Sequence, residues 1–214
     1  MPSRACSLEF TMLTSDVPGE NSWPRDMVIR VDQPASLLFL LFVRSAWQLD
    51  ESGVPPLDSV PAAGSTVPPA GLDRDEVNGH WKADWARAFE SVVPPRGPLR
   101  RPDAATLRLL DADLDADELF RAVSVQEYWR QGLDHDAETA WEQSMWPAPP
   151  PPGGLGPEAD AAEWLVGVWR SGVRSIIELP FAGYYVKRVD REHVVVSRAT
   201  RSDPQLYSLA LSTL

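Results

Sequence analysis

The densest group of chemically reactive side chains in this sequence is an acidic run between residues 110 and 118. Its carboxylates stand at alternate positions and end in a fifth acid: Asp111, Asp113, Asp115, Asp117 and Glu118. The first four have the spacing of the ligands that open a calcium-binding loop. Such a loop needs glycine at its sixth position and glutamate at its twelfth, where this sequence has Ala116 and Ala122. The run therefore predicts no calcium site, and no metal or cofactor is expected elsewhere.

These acids belong to a wider region of negative charge. Residues 103–142 contain 11 acids and 3 bases, a net charge of −8, whereas residues 157–214 contain 7 of each. Such a run is often only the solvated face of a helix, but repulsion between like charges of this density also favours a basic partner. We therefore expect a non-catalytic protein of the immunity-protein, antitoxin or inhibitor type. Its expected contacts with a basic protein partner are Asp111, Asp113, Asp115, Asp117 and Glu118.

A second hypothesis is catalytic and centres on His135. This histidine is flanked by Asp134 and Asp136, and Glu138 follows one helical turn later. A carboxylate can orient a histidine as a general base, so a small hydrolase or transferase using His135 with Asp136 or Glu138 is the alternative function. The chain has no Gly-x-Ser-x-Gly or Ser-x-x-Lys nucleophile motif, which makes this the less favoured hypothesis.

A third hypothesis rests on the nine tryptophans of the chain. Three of them lie on helical apolar stripes and are predicted to be in the core: Trp81, Trp85 and Trp169. Four others precede proline or flank the acidic run: Trp23, Trp146, Trp129 and Trp141. Indole rings that are left exposed bind sugars and other small ligands, so a tryptophan-lined binding module is also considered.

Composition excludes several classes of function. A net charge of −11 with a pI near 4.7 argues against nucleic-acid and anionic-membrane partners, because both require a basic face. The longest apolar run, 37–43, is far shorter than the roughly 20 residues of a membrane helix. No signal peptide is evident, Cys6 is the single cysteine, and arginine outnumbers lysine 18 to 2. We expect a bacterial, cytoplasmic protein; the sequence does not predict its oligomeric state.

Hydrophobic periodicity predicts the elements of the N-terminal and middle regions. Alternation predicts an antiparallel strand pair at 8–12 and 28–31. The apolar segment 37–49 is predicted as a buried helix, with a strand over 37–43 as the alternative. The clearest stripe predicts a helix over 73–92 that begins at Asp73 and ends before Pro94. Short helices are predicted between 103 and 123, and a helix or helix pair broken near Gly132 over 125–145.

The C-terminal region changes from helical to strand periodicity. A helix is predicted over 158–174. Four segments rich in β-branched and aromatic residues follow and predict an antiparallel β-meander: 176–179, 184–189, 193–198 and 205–211. The expected class is α+β, with a helical middle region, a small N-terminal strand pair, and a C-terminal helix plus antiparallel β-meander.

Two proline-rich segments, 53–71 and 147–157, interrupt these elements and are predicted as surface segments. The second separates the acidic region from the neutral C-terminal region, which suggests two small domains, 1–146 and 157–214. The C-terminal region alone offers only a thin core, and the N-terminal strands need a sheet to join. We therefore predict one α+β domain over 1–214.

Overall fold

The computed structural model describes residues 7–10, 24–49, 53–93, 126–145 and 156–214, with the backbone alone for 7–10 and 126–127. The described strands are β1 (Ser7–Phe10), β2 (Ile29–Asp32), β3 (Ser175–Leu179), β4 (Val186–Arg188) and β5 (His193–Ser197). The described helices are α1 (Ala35–Ala46), α2 (Arg74–Val92), α3 (Gln126–Arg130), α4 (His135–Ser144), α5 (Pro157–Asp160), α6 (Ala162–Arg170), α7 (Arg198–Ser202) and α8 (Pro204–Ser212). The α+β class is confirmed.

The five strands form one mixed sheet in the order β1-β2-β3-β5-β4. β1 and β2 are antiparallel, as predicted, with Leu8 opposite Val31. β2, β3 and β5 run parallel, and β4 is antiparallel to β5. The carboxyl ends of three neighbouring strands therefore meet at one edge of the sheet.

Two details of the predicted C-terminal meander are wrong. β5 lies between β3 and β4 and pairs with β3 in parallel, because its buried Val194, Val195 and Val196 suit a central strand covered on both faces. The segment 205–211, predicted as a strand, belongs to α8. Asp203 caps this helix by accepting hydrogen bonds from the backbone N–H groups of residues 205 and 206, and Pro204 occupies its first turn.

The helical predictions agree with the structure over most of the described residues. α1 confirms the helix predicted in 37–49, and α2 has Asp73 as its N-cap, accepting from the backbone N–H groups of Asp75 and Glu76. α3 and α4 are the predicted pair, separated by a turn with Gly132 at φ 77°. The helix predicted over 158–174 is divided into α5 and α6 at Ala161. The helices predicted in 103–123 lie outside the described residues.

The contacts divide the chain into two compact units. The sheet unit comprises Met1–Phe39, Ser52–Val60 and Trp141–Leu214. One face of its sheet packs against α6 and α8, which join the strands in a continuous apolar cluster. The cluster includes Ile29, Val31, Leu165, Val168, Ile176, Val194, Val196, Tyr207 and Leu211.

The tryptophan unit comprises Leu40–Glu51 and Pro61–Ala140. Trp81 and Trp129 are fully buried in it, and each indole N–H finds an acceptor. Trp81 donates to the Leu40 carbonyl and Trp129 to Asp84 Oδ2, both at 2.8 Å. The single domain predicted over 1–214 remains a prediction. Among the described helices, none has the length and apolar character to cross a membrane.

Replacement of Gly79 by alanine is expected to raise the free energy of unfolding by about 0.5–1 kcal/mol. Gly79 lies on the exposed side of α2, and a Cβ there meets no neighbouring atom. Alanine loses less backbone entropy than glycine when a helix forms. Urea denaturation followed by tryptophan fluorescence measures the change.

Gly132→Ala is the matched control and is expected to lower the free energy of unfolding. Residue 132 has φ +77°, and a Cβ there would lie 2.2 Å from the Val67 carbonyl oxygen. The left-handed backbone alone costs alanine about 1–2 kcal/mol. Equal effects of the two substitutions would contradict the geometry described for both positions.

Candidate functional site

The carboxyl edge of the three parallel strands carries the largest group of buried charges in the described residues. Ligands of open α/β sheets bind at this edge. The edge cluster is defined by five side chains: Gln33, Glu158, Glu178, Arg198 and Arg201. They come from the end of β2, from α5, from β3 and from α7.

Local structure explains how these side chains meet. Ser197 ends β5 and caps α7, accepting a hydrogen bond from the Thr200 backbone N–H at 3.1 Å. α7 therefore starts directly at the carboxyl edge of the sheet. Arg198 and Arg201 are three residues apart on α7 and share one side of it. Glu178 lies opposite Val196 and is directed to the same face of the sheet as Ile176.

The charges of the edge cluster neutralise one another. Arg201 contacts Glu178 Oε2 through Nη1 and Glu158 Oε1 through Nε, both at 2.7 Å. Glu178 Oε1 also accepts from Gln33 Nε2 at 2.5 Å and lies 3.4 Å from Arg198 Nε. Two carboxylates therefore face two guanidinium groups.

Burial makes this neutrality necessary. The side chains of Glu178, Glu158 and Arg201 are only 3%, 6% and 10% exposed. Burial by itself would lower the pKa of Arg201, but the charges of Glu158 and Glu178 outweigh it and raise that pKa. Arg198 is more exposed and also donates to the carbonyls of Ser144 and Met145. The charged groups of the edge cluster thus pair mainly with one another, as in an ion network with a structural role.

His135, the predicted general base, lies in solvent. Its side chain is 74% exposed, and its Nδ1 lies 3.2 Å from Glu138 Oε2. The structure thus brings His135 and Glu138 together, whereas Asp136 is exposed on the first turn of α4. The described residues do not enclose His135 in surroundings that would direct its proton transfer at a substrate.

Asp134 has a different role from its neighbours, because it holds a loop against α4. Its Oδ1 accepts from the backbone N–H groups of Asp136 and Ala137 at 3.0 Å, and its Oδ2 accepts from both N–H and hydroxyl of Ser65 at 2.8 Å. The hydrogen bonds from Ser65 and Ala137 lower the pKa of Asp134 from 3.8 to about 2. The Asp134 backbone N–H in turn donates to the Thr66 hydroxyl.

The other two histidines occupy structural positions. His80 is exposed on α2 and meets the edge of Tyr128, with ring centroids 5.6 Å apart. His193 Nδ1 lies 3.0 Å from Asp190 Oδ1 in the turn before β5, and its strand neighbour is Ser175. The Ser175 hydroxyl donates to Asp32 rather than to the histidine. Within the described ranges, no three His, Cys, Asp or Glu side chains are grouped as metal ligands.

Comparison with known proteins gives no family for this chain. No family model, no curated protein and no solved structure matches it.

The predicted contact residues of the acidic run lie outside the described part of the chain: Asp111, Asp113, Asp115, Asp117 and Glu118. Of the tryptophans considered for a ligand groove, Trp129 and Trp141 are buried, and Trp23 and Trp146 are outside the described residues. Trp164 on α6, at 44% exposure, is the most exposed described indole. The edge cluster was not predicted from the sequence. The one feature that could have indicated it is a glutamate, Glu178, within the apolar strand segment 176–179.

Arg201→Met is expected to lower the free energy of unfolding by about 3–5 kcal/mol, because it leaves two buried carboxylates without their shared partner. Arg170→Met is the control: Arg170 is exposed on α6, and its loss is expected to change stability by less than about 0.5 kcal/mol. Chemical denaturation of both variants measures the difference. Similar small effects at both positions would show that Arg201 does not balance Glu158 and Glu178.

Asp134→Asn is expected to remove part of the acid sensitivity of folding. The pKa of Asp134 is about 2 in the folded protein against an ordinary value of 3.8. The ionised carboxylate therefore stabilises the fold above pH 3.8, and this contribution disappears as the pH falls through about 2. The stability difference between wild type and Asp134→Asn should shrink over that interval. A difference that is constant across it would contradict the pKa assigned to Asp134.

Proposed function

We propose that this protein is a non-catalytic binding protein that recognises a basic protein partner through the acidic region 103–142. The observation that carries the proposal is the net charge of −8 in that region, beside a C-terminal region, 157–214, whose charges balance. This pattern is the one expected of an immunity protein, antitoxin or inhibitor. Asp111, Asp113, Asp115, Asp117 and Glu118 are the proposed contact residues.

The described end of the acidic region supports this proposal. Residues 126–142 contain 5 acids and 1 base. Asp136 is exposed, and Glu138 and Glu142 are partly exposed and lie one turn apart on the same side of α4. In the edge cluster, by contrast, carboxylates and guanidinium groups are equal in number. Among the described residues, excess negative charge is thus found on exposed and partly exposed positions of α4 and not in the edge cluster.

Electrostatics explains what such a surface contributes. Carboxylates crowded on one surface repel one another, and a basic partner relieves that repulsion as it binds. Complementary charge also raises the association rate and selects against acidic competitors. Both effects weaken when salt shortens the Debye length from about 10 Å at 0.1 M. Salt sensitivity is therefore the experimental signature of the proposal.

The catalytic alternative receives less support from the geometry. His135 is largely solvated, and Asp134, the carboxylate before it, is occupied by the backbone of α4 and by Ser65. A general base works best where surrounding groups fix its orientation towards a bound substrate. The binding function is accordingly preferred over a hydrolase or transferase.

Combined substitution of Asp111, Asp113, Asp115 and Asp117 by asparagine is expected to weaken partner binding by roughly thirtyfold, at about 0.5 kcal/mol for each exposed charge pair. The partner is first captured from a host lysate by the wild-type chain and identified by mass spectrometry. Its affinity for both chains is then measured by calorimetry in low and high salt. We expect the wild-type affinity to fall with salt and the variant affinity to depend on salt much less.

A charge-matched control separates position from net charge. Asp26, Glu90, Asp160 and Glu163 are all exposed outside the acidic region, and replacing them with Asn or Gln removes the same four charges. Binding should survive in this control. Equal weakening in the two variants, or a captured partner that is itself acidic, would refute the proposed contact surface.

A further inference from the structure

Four arginines gather around the C-terminal end of α6, at the edge of the sheet where the parallel strands begin. They form the arginine patch, which is defined by Arg170, Arg174, Arg188 and Arg191. Among the described residues, no carboxylate oxygen lies within 4.0 Å of their guanidinium nitrogens. Asp190, next to Arg191, uses its Oδ1 for two backbone N–H groups. The patch is therefore a local excess of positive charge on a chain whose net charge is −11.

Arg188 joins α6 to the turn before β5 and so brings the patch together. Its Nη2 donates to the C-cap carbonyl of α6 at 3.2 Å and to the backbone carbonyl of Arg191 at 3.0 Å. The Arg191 side chain lies over Gly172, where an added Cβ would be 2.8 Å from its Nε. Arg170 and Arg174 lie two residues before and after Gly172. Arg170, Arg174 and Arg191 are exposed, whereas Arg188 is partly buried and donates to backbone carbonyls.

Arg174 is held in place without losing its charge. Its Nη1 donates to the carbonyls of Trp169 and Val173, both at 2.7 Å, and its guanidinium carbon lies 5.0 Å from the centre of the Trp169 ring. Carbonyl oxygens and an aromatic face orient a guanidinium group, but they leave its positive charge and its other N–H groups available to a carboxylate. A side chain that is ordered before binding loses less entropy at an interface.

The surroundings of the patch favour protein carboxylates over phosphate groups. The guanidinium groups lie at the negative end of the α6 dipole among backbone carbonyls, whereas phosphate sites use the backbone N–H groups of helix N-termini. A net charge of −11 also repels nucleic acids and anionic membranes. Guanidinium groups pair with carboxylates through two parallel hydrogen bonds. An acidic protein surface is therefore the partner that fits the patch.

We propose that the arginine patch of one copy of this chain binds the acidic surface of α4 in a second copy. That surface consists of Asp136, Glu138 and Glu142, which are exposed or partly exposed. They belong to the region 103–142 of net charge −8, so a second copy supplies the complementary charge. Two different surfaces meet in this contact, which is therefore heterologous and adds one copy after another. A basic partner would compete for the same acids.

Replacement of Arg170, Arg174 and Arg191 by glutamine tests the patch. We expect the purified wild-type chain to self-associate at low ionic strength, and the triple variant to do so about tenfold more weakly, because three exposed charge pairs are lost. Sedimentation equilibrium measures both association constants. A control variant removes the same charge at three exposed arginines outside the patch: Arg25, Arg74 and Arg87. A wild-type chain that is monomeric at every concentration its solubility allows, or equal weakening in both variants, would overturn the proposal.

Charge reversal in two separate chains identifies the surfaces that meet. One chain carries glutamate at the three exposed arginines of the patch, and the other carries lysine at the three acids of α4. Each chain keeps one of the two surfaces intact. Each should therefore self-associate less than the wild type, whereas an equimolar mixture should associate more than either chain alone. A mixture that associates no more than its separate components would overturn the proposal.

Two features keep this test decisive. Circular dichroism shows whether the charge-reversed chains are folded, and the glutamine variant tests the patch without charge reversal. Only copies of this chain are present, so the result is independent of the proposed binding to a basic protein partner. Loss of that function would leave self-association unchanged, and a monomeric wild-type chain would leave that function intact.

Discussion

The sheet unit depends on one guanidinium group, that of Arg201, which lies between two buried carboxylates. Its partners are distant in sequence, Glu178 by 23 residues and Glu158 by 43. Removing charges from water is unfavourable, so the network contributes less net stability than its short distances suggest. Separation of Arg201 from Glu158 or Glu178 would leave a buried carboxylate without that partner, which is strongly destabilising. α7 starts at this edge because Ser197 caps it, and that start places Arg201 beside both carboxylates.

Some of this fold can be read from the sequence and some cannot, for physical reasons. α2 was predictable because its apolar stripe, its Asp73 cap and its first-turn acids are all local signals. The order of the C-terminal strands was not predictable, because a run of β-branched residues indicates a strand but not the strand with which it pairs. The segment 205–211 is predicted as a strand from its apolar and aromatic residues and the short polar connection before it, although Asp203 and Pro204 form a helix start. The edge cluster depends on pairs of single charges far apart in the chain, which no local pattern reveals.

The acids of this protein differ in their burial and in the groups that their carboxylates contact. Glu158 and Glu178 are matched by arginines inside the sheet unit, where an unpaired charge could not be tolerated. Asp134 is occupied by four hydrogen bonds that fix Ser65 and the start of α4. Asp136 follows two residues later and is exposed. Carboxylates that are close in sequence can thus either stabilise the fold or remain available to a partner. Their hydrogen bonds, and not the number of acids around them, distinguish the two cases.

The same distinction bears on how a basic partner would be recognised. A carboxylate that is already satisfied by backbone N–H groups offers little to a partner, because its lone pairs are used and its charge is partly compensated. Asp134 therefore adds to the charge count of the acidic region without adding a contact. Glu138 is intermediate, since its Oε2 lies 3.2 Å from His135 Nδ1 and its side chain is only partly exposed. Under the proposed function, selectivity for a basic protein would then be concentrated in acids whose oxygens face solvent, and fewer than the 11 acids of residues 103–142 would contact the partner.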